Sequence, residues 1–283
     1  MRSYLFVPAD SERKLAKGST SGADALILDL EDAVAASRRA IAREAAREYI
    51  THASGGPRIY VRINPLAGGI ALEDLRVVMR ARPYGIMLPK CDPGDVRTLD
   101  AYLSAFEAAN GHPAGTTRII AIATETPASL FALRDYRACP ARLEALTWGA
   151  EDLAAALGSE NRRSDGTYAD VFRLARALCL LAAGAAERTP IDTVYTDFKN
   201  DAGLDAESRA ARREGFAGKM AIHPAQVPII NAAFSASPEE LQWAHAVIAA
   251  FERDPQAGTI AIDGKMIDRP HLTLARRLME AAQ

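Results

Sequence analysis

Chemistry in this sequence is most readily built around two carboxylates, Glu125 and Asp152. A carboxylate pair that leaves its remaining coordination positions open suits Mg²⁺, which keeps several waters and takes substrate oxygens. The competing reading is a pair of acids neutralised by arginine. Histidine ligands are not needed, and His52, His112, His223, His245 and His271 are too scattered for the close spacing of a zinc motif. Arg62 is the natural partner for a substrate carboxylate, because its planar fork binds one bidentately and stays charged at any working pH. Its alternative is an ion pair with Asp29 or Glu31. Lys90 could neutralise developing negative charge or meet a phosphate, or simply pair with acids. His223 suits acid–base work, but capping the next helix or holding a loop is the favoured reading. Cys91 adjoins Lys90, whose charge would lower its pKa, yet no histidine partner can be assigned, so a nucleophilic cysteine and a Schiff base at Lys90 are weak alternatives.

These residues are far apart in sequence and need a scaffold that gathers them. Eight short runs rich in aliphatic or β-branched residues, 4–7, 25–28, 59–63, 85–88, 118–123, 145–148, 191–195 and 219–222, alternate with segments of helical period such as 37–50, 72–80, 96–108 and 170–185. Strands separated by crossover helices run parallel. No Gly-x-Gly-x-x-Gly follows the first strand, and eight units favour closure, so the expected fold is α/β, a (β/α)8 TIM barrel. The stripe Leu241, Ala244, Val247, Ile248 and Phe251, opened by Ser237-Pro238-Glu239-Glu240, reads as the eighth barrel helix. Asp254-Pro255 and a turn-rich stretch then lead to a final helix from about Pro270. The expected division is a catalytic barrel over 1–254 and a C-terminal helical extension over 255–283.

In such a barrel the C-terminal strand ends open onto one face. Here they carry Asp29-Leu30-Glu31-Asp32, Arg62-Ile63-Asn64, Pro89-Lys90, Glu125-Thr126-Pro127, Gly149-Ala150-Glu151-Asp152, Asp197 and His223-Pro224. Any one alone reads as a solvated loop residue; seven strands delivering ionisable groups to the same end read as an active site. Glu125 and Asp152 are the expected metal ligands, and Arg62, Glu125, Asp29, Lys90, Gly149 and Ala150 the substrate-binding set.

Composition sets the outer limits. The 283 residues include 34 basic and 36 acidic ones, a net charge of −2, so there is no global field to gather nucleic acid or anionic membrane. Three dispersed cysteines fit neither a disulfide framework nor a zinc cluster, and no segment reaches spanning length. A cytoplasmic protein without nucleic-acid or membrane partners is expected.

Several strings resemble the citrate lyase β-subunit-like family of Mg²⁺-dependent lyases, within the HpcH/HpaI aldolase, malyl-CoA and citramalyl-CoA lyase superfamily. They are Arg2-Ser3-Tyr4-Leu5-Phe6-Val7-Pro8, Leu28-Asp29-Leu30-Glu31-Asp32-Ala33-Val34, Val61-Arg62-Ile63-Asn64, Ile86-Met87-Leu88-Pro89-Lys90, Glu125-Thr126, Gly149-Ala150-Glu151-Asp152-Leu153, Ile191-Asp192-Thr193-Val194-Tyr195, Gly218-Lys219-Met220-Ala221-Ile222-His223-Pro224 and Gly264-Lys265-Met266-Ile267-Asp268. Each is weak alone; their order and spacing nearly end to end are specific. The chain departs at Ala9, where relatives often carry Gly, in a loop that could approach the thioester or CoA.

The resemblance implies Mg²⁺ at Glu125 and Asp152, substrate contact by Arg62, and a homotrimer in which the C-terminal segment reaches a neighbour's active site with Asp268 in proton transfer. It implies cleavage of a 3-hydroxy-3-carboxy acyl-CoA thioester of the citryl-, citramalyl- or malyl-CoA type to a 2-oxo acid and an acyl-CoA such as acetyl-CoA. Arg2, Arg13 or Lys14 are candidates for the CoA phosphates, and an acyl carrier protein could replace CoA. The rivals are a malyl-CoA-type thioesterase, an aldolase on free 2-oxo acids, and a non-catalytic subunit that binds a metabolite or partner.

Overall fold

The computed structural model describes residues 1–281, with backbone only at the last of these. It separates into two compact units, the first spanning Met1–Ala233 and the second beginning at Phe234.

In chain order the first unit contains β1 (Ser3–Pro8), α1 (Glu12–Ser19), β2 (Ala25–Asp29), α2 (Arg39–His52), β3 (Arg58–Arg62), α3 (Ile70–Val78), β4 (Gly85–Leu88), α4 (Pro93–Ala109), β5 (Arg118–Ile122), α5 (Pro127–Ala132), β6 (Leu143–Thr147), α6 (Ala150–Leu157), α7 (Asp170–Ala185), β7 (Thr189–Asp192), α8 (Asp201–Glu214) and β8 (Gly218–Ala221). The strands form a closed parallel barrel in sequence order, with β1 paired to both β2 and β8. The fold is therefore the α/β TIM barrel that the eight-unit rhythm implies. Strands such as Ala25–Asp29 are buried throughout because the barrel interior covers one face and helices the other, which explains their unbroken aliphatic runs. Side chains alternate across each strand, so Tyr4, Ile27, Tyr60, Met87, Ile120, Ala145, Ile191 and Met220 fill the interior. Gly85 is required there: a Cβ would lie 2.6 Å from the Tyr60 ring.

Local signals fix where the helices begin next to the strand ends. Asp92 caps α4 through the N–H groups of Gly94 and Asp95, with Pro93 in the first turn. Thr126 and Ser129 form a capping box at the start of α5, directly after Glu125. The seventh strand is Thr189–Asp192 instead of 191–195: it begins earlier and takes in Pro190, and its pairing with β6 and β8 stops at Asp192. The Pro190 carbonyl still accepts a hydrogen bond from the Ala217 N–H at 2.9 Å.

The helix that follows β8 is α9 (Gln226–Phe234), not the stripe further on. That stripe forms α10 (Pro238–Arg253) of the second unit, opened by the Ser237–Glu240 capping box. The second unit continues with an antiparallel hairpin, β9 (Thr259–Ile262) and β10 (Lys265–Asp268), and ends in α11 (Arg269–Ala281). Ala244, Val247 and Phe251 of α10 bury against Leu272 and Ala275 of α11, a partner that periodicity alone cannot identify. Among the described residues no helix is long and apolar enough to cross a membrane.

Candidate active site

The register of β2 against β3 sets Asp29 directly beside Arg62. Arg62 donates from Nε and Nη2 to the two Asp29 oxygens at 2.8 and 2.7 Å, and its Nη1 lies 3.0 Å from Glu31 Oε2. Its guanidinium also stacks on the Phe6 ring, 4.8 Å from the centroid. Burial works against the charge, but the acids outweigh it and raise the pKa. The ion-pair reading of Arg62 is thus realised, yet Arg62 also lines the cavity at the mouth of the barrel. A guanidinium has five N–H donors, so some remain for a ligand. Asp29 further accepts the Glu31 and Ala33 N–H groups at 3.0 and 3.2 Å, which commits it to holding Arg62 and the β2 loop.

Lys90 stands in the left-handed region, with φ 48°. That turn points its backbone N–H at Glu125 Oε2, 2.5 Å away, while its ammonium meets Glu31 at 2.5 Å, Asp152 at 3.2 Å and Asp32 at 3.3 Å. Burial lowers the Lys90 pKa, but these acids raise it further, keeping the ammonium charged. Glu125 is buried, and its carboxyl is pushed well above the usual range, first by burial and then by repulsion from Asp152 and Glu31. Glu125 packs against Gly149, where a Cβ would fall 2.6 Å from its Cγ. Asp152 follows in the first turn of α6, half-buried.

This donor set fits a hard divalent cation. Glu125 is a buried carboxyl whose neighbours oppose its charge, and Asp152, which repels it, is a further oxygen donor. Among the described residues no three His, Cys, Asp or Glu side chains converge as a complete metal cage. Two carboxylates completed by water and substrate oxygens is the arrangement typical of Mg²⁺.

The cavity measures about 420 Å³ and combines these acids with an apolar wall of Phe6, Ile122, Val194, Met220 and Ile222. Gly149 and Ala150 line it at the start of α6. A second hollow of about 420 Å³ shares Phe6, Pro8 and Ile222 with it and carries Arg13, Lys14 and Lys17 of α1. Arg2 does not join them: it is bound to Asp24, ahead of β2, at the opposite end of the barrel.

The remaining candidates have other partners. His223 Nδ1 accepts the Ala225 N–H at 3.2 Å and its ring stacks on Phe198, a loop-holding role. Burial pushes the Cys91 thiol well up, overriding any influence of Lys90. Asp197 is exposed, because the strand ends at Asp192. Asp268 lies in the second unit, where a 2.5 Å contact to His271 Nδ1 holds its carboxyl below the usual range. Sequence reasoning passed over Trp148, Thr193 and the apolar wall, all cavity-lining, because nothing in their type announces chemistry.

Comparison with known proteins adds an independent line. The profile of the HpcH/HpaI aldolase/citrate lyase family matches residues 2–224. The citrate lyase subunit beta-like protein of Mycobacterium tuberculosis is 35% identical over 288 residues, covering 99% of this chain and 94% of that protein. The (3S)-malyl-CoA thioesterase of Cereibacter sphaeroides is 35% identical over 290 residues, covering 100% and 94%. The crystal structure of CitE from M. tuberculosis in complex with magnesium, acetoacetate and coenzyme A superposes with a TM-score of 0.81 at 34% identity, covering 99% of this chain and 97% of that one.

Proposed function

This chain belongs to the HpcH/HpaI aldolase/citrate lyase family, and from that premise we propose that it is a Mg²⁺-dependent carbon–carbon lyase. Its substrate is a 3-hydroxy-3-carboxy acyl-CoA thioester of the citryl-, citramalyl- or malyl-CoA type. The observation that carries this reading is the convergence of Glu125, Asp152 and Arg62 on one cavity with an apolar wall.

Glu125 and Asp152 would hold the metal, which supplies Lewis acidity toward the hydroxyl and carboxylate oxygens of the substrate. Arg62, fixed by Asp29, binds that carboxylate through its free donors. A base takes the hydroxyl proton, and the bond between the hydroxyl-bearing carbon and the thioester α-carbon breaks. The electron pair passes into a thioester enolate, which is protonated to give the acyl-CoA while the other fragment leaves as a 2-oxo acid. Asp268, supplied by a neighbouring subunit of a homotrimer, is the proposed proton carrier. Lys90 offsets charge along the acidic rim, Gly149 and Ala150 meet the substrate through their backbone, and Arg13 and Lys14 meet the phosphates of CoA or an acyl carrier. The protein would act in the cytoplasm.

Turnover of citryl-, citramalyl- and malyl-CoA with and without EDTA tests the reading. We expect cleavage to a 2-oxo acid that stops in EDTA and is lost in Glu125→Ala and Asp152→Ala. Full activity in EDTA, or wild-type turnover by either variant, refutes the metal assignment. The similarity to a malyl-CoA thioesterase supports hydrolysis as a second reading. Release of free CoA with the hydroxy acid intact would establish it, and turnover of the free acid without CoA would indicate an aldolase.

A further inference from the structure

Asp192 closes β7 with its side chain on the outer face of the barrel, since Ile191 beside it belongs to the interior. It is fully buried and has three partners: Lys219 Nζ at 2.9 Å, Arg176 Nε at 3.0 Å and the Trp148 indole Nε1–H at 2.7 Å. Lys219, also fully buried, shares its ammonium with Glu207 at 2.9 Å. Salt bridges would satisfy Asp192 without the indole. The indole is different, because it belongs to the turn that carries the site.

Trp148 is followed by Gly149, which closes on Glu125, and by Asp152 in the first turn of α6. This turn is gripped from two sides. On the β5 side the Gly149 N–H donates to Thr124 Oγ1 at 3.2 Å, and on the β7 side Trp148 donates to Asp192. The Tyr168 ring meets the indole edge-on at 5.0 Å. Released from Asp192, the turn loses its polar anchor on the β7 side, which lets Gly149 shift relative to Glu125 and carry Asp152 with it.

We infer that Asp192 is a positioning residue that, through the Trp148 indole N–H, sets the β6–α6 turn so that Glu125 and Asp152 face one cation. The inference rests on the proposed metal site but not on the reaction performed there. Groups that hydrogen-bond metal ligands alter affinity by about 10- to 100-fold when lost; Trp148 and Asp192 act through the backbone of the turn and belong at the low end of that range.

The test is Mg²⁺ affinity measured by calorimetry without substrate. Trp148→Phe, which keeps the ring bulk and removes the donor, should weaken binding about tenfold. Asp192→Asn, which keeps an acceptor oxygen for the indole, should stay within about threefold of wild type even though it loses thermal stability by disturbing Lys219. Wild-type affinity in folded Trp148→Phe, or equal losses in both variants, overturns the inference. A second measurement serves if Trp148→Phe fails to fold. In Trp243→Phe labelled with 5-fluorotryptophan, the single ¹⁹F resonance of Trp148 should shift on adding Mg²⁺; an unmoved resonance also overturns the inference. Normal metal binding without thioester cleavage would instead sink the proposed reaction and leave the role of Asp192 standing.

Discussion

Arg62 and Gly149 show how single positions set the site. Arg62 is held by two parallel hydrogen bonds to Asp29 that a lysine cannot reproduce. Arg62→Lys should lower kcat/KM by about 10- to 100-fold, corresponding to the ~1.5–3 kcal/mol of a charge-assisted hydrogen bond. Steady-state kinetics with a fixed thioester checks this, and an unchanged kcat/KM would confine Arg62 to bracing the loop. Gly149→Ala places a methyl 2.6 Å from Glu125 Cγ. Overpacking of this kind costs about 1–3 kcal/mol, so a fall in melting temperature should accompany weaker Mg²⁺ binding. A variant with wild-type stability and affinity would show that Glu125 has room to move.

Among the elements, the N-terminal end of the barrel is tied by Glu107 of α4. It accepts the two Arg142 Nη groups at 2.8 Å each, the Thr117 N–H at 2.9 Å and the Gly115 N–H at 2.8 Å, joining α4 to the starts of β5 and β6. Burial pushes its pKa up, but Arg142 and the N–H donors outweigh it and lower the value from 4.5 to about 2. A depressed folded-state pKa adds stability that is complete above the unfolded value and is lost as pH falls toward the folded one. Glu107→Gln should therefore be less stable at pH 7 and lose less additional stability between about pH 4.5 and 2 than the parent. Urea denaturation across that range measures it; parallel pH profiles would contradict the assignment. On β7 and β8, Lys219→Met leaves Asp192 short of a buried cation, and breaking such a pair costs about 3–5 kcal/mol. Thermal or urea unfolding should register that loss, and a variant as stable as its parent would rule it out.

Taken whole, the molecule has a net charge of only −2, yet concentrates acid at the barrel mouth. Asp29, Asp32, Glu125, Glu151 and Asp152 line the cavity, and among the described lining residues Arg62 is the only base. One substrate carboxylate finds Arg62 and the proposed metal there, whereas a second would compete with Glu31, Asp32 and Asp152 for the Lys90 ammonium or lie against the apolar wall. We predict that malyl and citramalyl thioesters, with hydrogen or methyl at the carbinol carbon, are cleaved with kcat/KM at least about tenfold above citryl thioesters, a difference of ~1.4 kcal/mol. Direct competition of the three thioesters decides it, and a preference for citryl would mean that the second carboxylate wins Lys90 from its acids.

The sequence by itself determined the barrel, because eight aliphatic runs buried on both faces alternate with helical segments. It also picked out the strand-end residues Arg62, Lys90, Glu125 and Asp152 as candidates for chemistry. It ran β7 on to Tyr195, because the β-branched Thr193 and Val194 continue the aliphatic run, and so chose exposed Asp197 over buried Asp192. It read α10 as the eighth barrel helix because an apolar stripe records that a face is buried, not against what. Tertiary structure alone decided that Lys90 turns through the left-handed region to meet Glu125, that Arg62 is already braced by Asp29, and that Trp148 reaches Asp192. These contacts join residues from different strands, and their distances depend on register and closure of the barrel, which no local pattern encodes.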